Sequence, residues 1–266
     1  FMKDVVLEIN NILSDYLSGN KNIAYDKLKK ISKKYPTNEK IKFNLAFMEQ
    51  DQGNIEKAKK SYFNLISNFN NFNSKINLYN IYLKEKNYHK ALDLIDNILK
   101  IKQDLINVLI DKAYINYKIK EYDLSKKICQ LILAKSNNTK ALNIIGLCLF
   151  KEGKYKESLG YLSKGLSINN TDLSLLNSIG DVYYEMRNLE ESEKFYLKAL
   201  EIEPNSHQTL NNIAGYYLET NNSEKALLYY QKALKVFPDE PTILENISKT
   251  YFSLDKNDLA EKLCKK

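Results

Sequence analysis

The sequence predicts an all-α protein built as a solenoid of antiparallel helix pairs. Three observations lead to this fold class. The segment KALKVFPD, Lys232–Asp239, nearly repeats KALEIEPN, Lys198–Asn205, which lies 34 residues earlier. Small and large apolar residues recur at that offset along the chain, with the spacing of amphipathic helices. Eight Gly and four Pro in 266 residues are too few for a protein rich in strands and tight turns.

The repeat unit has 34 positions, counted from His207 as position 1. Its small residues, at positions 8, 20 and 27, are Ala214, Ala226 and Ala233. Its large apolar residues, at positions 4, 7, 11 and 24, are Leu210, Ile213, Tyr217 and Tyr230. Small residues let two helices approach closely, and large ones fill the space around the contact. Units start near residues 5, 39, 72, 106, 139, 173 and 207, and a partial unit starts at 241.

Polar residues and prolines mark the ends of the predicted helices. The turn inside a unit carries an asparagine in four units, where one helix stops and the next is capped: Asn54, Asn87, Asn188 and Asn222. Four residues close their units and are predicted to cap the next unit's first helix: Asn38, Asn138, Asp172 and Ser206. Pro36, Pro204 and Pro238 lie just past second helices and prevent their continuation.

This pattern resembles the tetratricopeptide repeat family, and the resemblance covers Val5–Lys266. The Trp that the family often has at position 4 is absent throughout. The resemblance implies a right-handed superhelical solenoid of about seven and a half repeats, forming a single array over residues 5–266. It also implies that the first helices line a concave groove. Such arrays usually bind a peptide or protein segment there.

Composition and charge narrow the choice of partners. Residues 1–133 carry 23 Lys and 15 acids, whereas residues 134–266 carry 17 basic and 18 acidic residues. The Lys-rich half favours an acidic segment, or serves only as a solubilising surface. Arg187 is the only arginine, which argues against nucleic-acid binding. No stretch is long enough to span a membrane, and three widely spaced Cys form no disulfide framework, so a cytoplasmic location is expected.

The sequence predicts no catalytic, metal or cofactor site within this chain. His89 and His207, the only histidines, lie about three and a half repeats apart. No glycine-rich phosphate loop, HExxH or CxxC motif is present. The three cysteines are predicted to be small core residues: Cys129, Cys148 and Cys264.

A row of asparagines is the candidate binding feature. In the family that the sequence resembles, position 6 faces the groove. Five of the eight units have Asn there: Asn10, Asn44, Asn77, Asn212 and Asn246. Asn makes up 32 of 266 residues, so composition alone would give about one in eight. An amide can donate to and accept from a peptide main chain whatever its side chains, and the arrays of protein O-glycosyltransferases carry a similar ladder. Asn at this position could instead stabilise the first helix, and the sequence leaves both interpretations open.

The row is interrupted in the middle of the chain, where position 6 holds Asp111, Ile144 and Ser178. Asparagines at position 5 are predicted to replace it in part: Asn143, Asn177 and Asn211. Aromatic residues on groove positions complete the predicted peptide-binding site: Phe47, Tyr114, Phe150 and Tyr184.

Two functions fit these observations. The first is a non-catalytic scaffold that holds an extended peptide segment in its groove. The second is the N-terminal recognition arm of a larger enzyme, of the glycosyltransferase or sulfotransferase type, with its catalytic domain beyond residue 266. The eighth unit stops inside its second helix without a cap, which predicts that the chain continues past Lys266. The Lys- and Asn-rich, Arg-poor usage is typical of an AT-rich genome, and a bacterial source is expected.

Overall fold

A computed structural model of the protein describes the backbone of residues 2–238 and 240–264, with side chains over 6–238 and 240–260. These residues form helices and no strand. The helices are α1 (Met2–Leu17), α2 (Lys21–Lys34), α3 (Glu39–Asp51), α4 (Ile55–Phe69), α5 (Phe72–Lys84), α6 (Tyr88–Ile101), α7 (Ile106–Lys118), α8 (Tyr122–Leu133), α9 (Thr139–Lys151), α10 (Tyr155–Ile168), α11 (Leu173–Glu185), α12 (Leu189–Ile202), α13 (His207–Glu219), α14 (Ser223–Val236), α15 (Pro241–Ser253) and α16 (Asn257–Cys264). The prediction of an all-α protein built from helix pairs is confirmed.

The chain divides into two compact units, residues 1–108 and 109–266. In the first unit, α3 packs against α4 and α5 against α6. In the second unit, α9 packs against α10, α11 against α12 and α13 against α14. There the first helices α9, α11, α13 and α15 also contact one another in sequence, so they form one continuous layer. A single array over residues 5–266 stays a prediction.

Small residues at position 8 permit close contact between the two helices of a 34-residue repeat. A Cβ atom built on Gly146 would lie 2.5 Å from Leu162, and one built on Gly180 would lie 2.5 Å from the Tyr196 ring. Leu162 and Tyr196 occupy position 24 of their units and are buried. The predicted roles of positions 8 and 24 are confirmed for the repeats that start at residues 139 and 173.

The turn inside each unit has one backbone conformation. Position 15 has a positive φ in all eight repeats, whatever the residue: Gly19, Gly53, Lys86, Lys120, Gly153, Arg187, Asn221 and Asp255. The following N–H donates to the carbonyl of position 11, as from Lys154 to Leu149 and from Asn188 to Tyr183, both at 2.9 Å. This bond closes the end of the first helix in the manner of a Schellman motif.

Most of the predicted caps are present. The side chains of Asn38, Asn138 and Asp172 accept from backbone N–H groups of α3, α9 and α11. Ser206 lies at the predicted N-cap position of α13 but makes no side-chain cap bond. Its hydroxyl accepts instead from the Thr209 hydroxyl, at 3.0 Å, so a side chain takes the place of a backbone donor. Inside the units, the asparagine side chain caps at Asn188 and Asn222.

Asn54 and Asn87 lie in the turn at the N-cap positions of α4 and α6, as predicted, but their side chains make no cap bond. The backbone bond that closes the turn is present in all four repeats, from Asn54 to Glu49 and from Asn87 to Tyr82 at 2.9 and 2.8 Å as well as from Asn188 and Asn222, so the turn forms with or without the side-chain cap. The prolines lie where predicted: Pro36, Pro204 and Pro238 each follow the last residue of a second helix by two positions.

The cysteine prediction holds for two of the three residues. Cys129 and Cys148 are buried free thiols, and burial raises the pKa of Cys129 to about 12. A thiol with such a pKa stays protonated and unreactive at neutral pH. The side chain of Cys264 lies outside the described residues.

Candidate functional site

Polar side chains pair across neighbouring first helices in the second unit. Asn212 Nδ2 donates to Asn177 Oδ1 at 3.5 Å, and Asn246 Nδ2 donates to Asn211 Oδ1 at 3.1 Å. One pair earlier, Ser178 Oγ donates to Asn143 Oδ1 at 3.0 Å. Each bond joins position 6 of one repeat to position 5 of the repeat before it. We call this row of pairs the amide ladder, and Ser178, predicted to interrupt it, continues it.

The amide ladder leaves polar atoms unused. In the described part of the chain, no hydrogen bond occupies Oδ1 of Asn212 or Asn246, nor Nδ2 of Asn211. Asn177 differs, because its Nδ2 donates to Leu173 O and Thr209 Oγ1, both at 2.8 Å, and the residue is only 2% exposed. Asn177 therefore holds the helices together and offers nothing to a ligand.

Asp181 lies beside the amide ladder on α11. Its Oδ1 accepts from the Tyr196 hydroxyl at 2.6 Å and from Asn212 Nδ2 at 3.3 Å. Burial raises the pKa of Asp181 to about 6, against the opposing effects of the Tyr196 hydrogen bond and the Lys151 charge. The pKa of Tyr196 is also raised, first by burial and then by the Asp181 carboxylate. The carboxylate is thus ionised at neutral pH in a site that disfavours its charge.

A cavity of about 350 Å³ opens between α11, α13 and α15. It is lined by Asp181, Tyr184, Tyr196, Asn211, Asn212, Gly215, Tyr216, Leu218, Glu219, Tyr230 and Asn246. The Tyr184 hydroxyl is buried without a hydrogen-bond partner. Its ring meets the Tyr216 ring edge to face, with centroids 6.4 Å apart. We call this space the α11–α15 cavity. Four of the residues predicted to bind a peptide line it together, namely Tyr184, Asn211, Asn212 and Asn246.

The first unit has a different cavity, of about 530 Å³, which includes the predicted residue Phe47. It is lined by Phe47, Gln50, Asp51, Ile55, Glu56, Ile81, Lys84 and Glu85. Phe47 is 43% exposed, so its ring is available to a ligand. Two of the carboxylates already have partners: Asp51 accepts from Lys21 at 2.7 Å, and Glu85 accepts from Lys59 at 2.9 Å.

The predicted asparagines of the first unit form no ladder. Asn10 is exposed, Asn44 Nδ2 is buried without a partner, and Asn77 Nδ2 donates to the Tyr62 hydroxyl at 2.9 Å. For Asn44 and Asn77 the reason lies at position 5 of the preceding repeat, which holds the apolar residues Ile9 and Phe43. Apolar side chains cannot accept a hydrogen bond, so position 6 has no partner one repeat away.

Two predicted aromatic residues lie on α7 and α9. Tyr114 is 37% exposed and lies beside Tyr117, with ring centroids 6.4 Å apart. Phe150 packs on Tyr155 at 5.8 Å, and Lys151 Nζ lies 5.0 Å from the Phe150 ring centroid. Neither Tyr114 nor Phe150 lines the α11–α15 cavity.

Sequence reasoning missed Asp181, Glu219, Tyr196 and Tyr216, which also line this cavity. A signal was available for the two acids, because they occupy positions 9 and 13, which face the groove in the family that the sequence resembles. The tyrosines carried no such signal, since position 24 and position 10 are core positions in most units.

The family comparison agrees with this architecture. Residues 171–239, which include α11 to α14, match the tetratricopeptide repeat family. The chain contains tetratricopeptide repeats. A TPR repeat-containing protein of Methanocaldococcus jannaschii is 29% identical over 126 residues, which are 46% of this chain and 22% of that protein. The match thus spans about a fifth of the length of this curated relative.

Solved tetratricopeptide repeat proteins share the fold. A protein from Parabacteroides merdae superposes with a TM-score of 0.82 at 19% identity, covering 91% of this chain and 97% of that one. A protein from Thermus thermophilus superposes with a TM-score of 0.64 at 18% identity, covering 68% of this chain and 100% of that one. At these identities the likeness concerns the fold alone.

Two other kinds of site are absent from the residues that the structure describes. No helix among them has the length and apolar character needed to cross a bilayer. No three His, Cys, Asp or Glu side chains among them lie close enough together to hold a metal ion.

Proposed function

We propose that this chain is a protein-binding scaffold and that its second unit holds an extended segment of a partner along α9, α11, α13 and α15. The observation that carries the proposal is the amide ladder beside the α11–α15 cavity. Tetratricopeptide repeats mediate protein–protein interactions, which supports a binding role without identifying the partner. The two free, buried thiols fit a reducing cytoplasm as the place of this interaction.

The amide ladder suits main-chain recognition. An extended segment presents N–H and C=O groups at regular intervals, and the asparagine side chains offer both complementary groups. Oδ1 of Asn212 and of Asn246 would accept from peptide N–H groups, and Asn211 Nδ2 would donate to a peptide carbonyl. Because bonds between repeats already hold these amides, little side-chain freedom is lost on binding.

Aromatic side chains supply apolar contact area beside the amides. Tyr184 and Tyr216 form a pair at the α11–α15 cavity, and Phe150 is part-exposed on α9. Aromatic anchors in a groove commonly provide much of the binding energy, whereas amide contacts fix the direction of the segment.

The test is selection of peptides of about twelve residues from a random display library on the purified chain, followed by measurement of affinity. The double variant Asn212→Ala, Asn246→Ala should bind a selected peptide about tenfold or more weakly, at about 1 kcal/mol for each lost contact. The matched control is Asn137→Ala with Asn170→Ala, two exposed asparagines outside the ladder, which should bind normally. The proposal fails if no peptide is selected, or if the double variant keeps full affinity with an intact helical spectrum.

A further inference from the structure

The α11–α15 cavity carries negative charge without a cation to neutralise it. Two of its lining residues, Asp181 and Glu219, are acids, and none is Lys, Arg or His. Over the described residues, neither acid has a basic group within ion-pair distance. The cavity of the first unit is different, because Asp51 and Glu85 there pair with Lys21 and Lys59.

The Asp181 carboxylate is held so that one oxygen remains available. Both of its donors, the Tyr196 hydroxyl and Asn212 Nδ2, bind the same atom, Oδ1. Oδ2 receives no hydrogen bond from the described part of the chain. The two bonds fix the orientation of the carboxylate, and its second oxygen can accept from a ligand donor.

The nearby positive charges leave the cavity unneutralised. Lys151, on α9, acts on Asp181 through its charge but forms no ion pair with it, and Glu185 adds to the negative charge. Lys249, on α15, is already paired with Glu245 at 2.6 Å. A cation that entered the cavity would therefore meet two carboxylates and no competing base.

The remaining walls suit the rest of a long basic side chain. Tyr184, Tyr216 and Leu218 provide ring and aliphatic surface for a methylene stem, and aromatic faces also attract cations. The unpartnered Tyr184 hydroxyl can act as one more acceptor.

From this geometry we infer that the α11–α15 cavity receives a lysine or arginine side chain of the bound segment, with Asp181 and Glu219 as the residues that select it. This inference rests on the proposed function and adds to it the chemical class of the partner. The Lys-rich first half of the sequence favours an acidic segment, whereas this cavity favours a basic side chain. The two halves of the sequence would therefore prefer parts of a partner with opposite charge.

The experiment uses pools of acetylated, amidated peptides of about nine residues, random except for one fixed central residue. The fixed residue is Lys, Arg, norleucine, Gln or Glu, and binding of each pool to the purified chain is measured. The Lys and Arg pools should bind about tenfold more tightly than the norleucine pool, and the Glu pool should bind most weakly. Glu219→Gln and Asp181→Asn should each reduce this preference several-fold. Glu201→Gln, an exposed acid on α12, is the matched control and should leave it unchanged.

The outcomes separate this inference from the proposed function. The inference that the α11–α15 cavity selects a basic side chain would be overturned by pools that bind equally well, or by a preference that survives both Glu219→Gln and Asp181→Asn. The proposed scaffold function would not be affected by either result. No binding by any pool would overturn both. If no pool binds and the chain self-associates in a Glu219-dependent way in sedimentation, a second copy fills the cavity and the inference is wrong. Circular dichroism of each variant confirms that it is folded.

Discussion

At the scale of single residues, Asp181 affects the stability of the fold and also lines the cavity that we propose as a binding site. The Tyr196 hydroxyl and Asn212 hold its carboxylate, and burial raises its pKa from 3.8 to about 6. The folded chain thus binds this proton more tightly than the unfolded chain does. Between about pH 4 and about pH 6, Asp181 therefore makes the free energy of unfolding fall as the pH rises.

Replacing this carboxylate should make the protein more stable at neutral pH. Asp181→Asn keeps an oxygen that accepts from Tyr196 but carries no charge, so it should raise the free energy of unfolding by about 1–3 kcal/mol near pH 7. The gain should vanish below about pH 4, where the carboxyl group is protonated in both states. Urea unfolding of both proteins across this range measures the effect, with Glu201→Gln as the control. An unchanged pH profile would show that Asp181 is not held as described.

The sequence predicted individual asparagines better than their partners. Position 6 was recognised as a row because the same residue type recurs at a fixed offset. The pairing of position 6 with position 5 of the preceding repeat depends on how neighbouring helices are rotated, which a periodic pattern does not specify. Asp181 was missed because it is the only acid at position 9, so no recurrence marked it. Glu219 was missed although position 13 is also acidic at Asp51 and Glu185, because an acid on a helix surface is usually only solvated.

At the scale of helices and turns, one backbone conformation ends every first helix. Position 15 has a positive φ even where the residue is Lys120 or Arg187, at 69° and 60°. This region is unfavourable for residues with a Cβ atom and open to glycine. The asparagines at position 16 marked the turn in four repeats, but the positive φ at position 15 was not predictable at Lys120 or Arg187, because Lys and Arg carry no such signal.

Glycine at these turns should stabilise the fold. Arg187→Gly and Lys120→Gly should each raise the free energy of unfolding by about 0.5–1 kcal/mol, because relief of backbone strain exceeds the entropy that glycine adds to the unfolded chain. Gly153→Ala, at φ 74°, should lower it by about 1 kcal/mol. Lys164→Gly, at an exposed position inside α10, is the control and should be destabilising by about 1 kcal/mol. A loss of stability in both Arg187→Gly and Lys120→Gly would contradict the turn geometry.

The close contact between α11 and α12 predicts that replacing glycine by alanine changes the free energy of unfolding in opposite directions at two positions. Gly180→Ala would place a methyl group 2.5 Å from the Tyr196 ring, and should lower the free energy of unfolding by about 1–3 kcal/mol. Gly160→Ala, inside α10 with nothing within 4 Å of the added Cβ, should raise it by about 0.5–1 kcal/mol. Denaturant unfolding of the two variants compares them directly. Equal effects would mean that position 8 does not require a small residue.

At the scale of the whole molecule, the repeat register predicted the helices and their order. It did not predict the division at residues 108 and 109, which falls within α7. No linker composition marks that point in the sequence, since the apolar pattern of the repeat continues through it. Net charge also did not predict the character of the α11–α15 cavity. Residues 134–266 are close to neutral in total, yet two acids and no basic residue line that cavity.

Salt should affect the two halves in different ways. Several lysines of the first unit are already in ion pairs, including Lys21, Lys27 and Lys57. If the remaining ones attract an acidic segment, its association rate should fall between about 0.05 M and about 0.5 M salt. Binding of a Lys-centred peptide should weaken over the same range through Glu219, and Glu219→Gln should flatten that dependence. Stopped-flow association and equilibrium titration distinguish the two effects. A Lys-centred peptide whose affinity ignores salt would count against a charged cavity.

Main-chain recognition by the amide ladder is the central claim, and scanning a selected peptide with single backbone N-methyl groups tests it most directly. Each N-methyl group removes one main-chain donor and leaves the side chains in place. We predict a loss of about fivefold to tenfold at the peptide positions whose N–H groups bind Asn212 and Asn246, and little loss at the others. In the Asn212→Ala, Asn246→Ala variant the same N-methyl groups should have little further effect. Equal affinities for all N-methyl analogues on the unmodified chain would contradict recognition of the main chain.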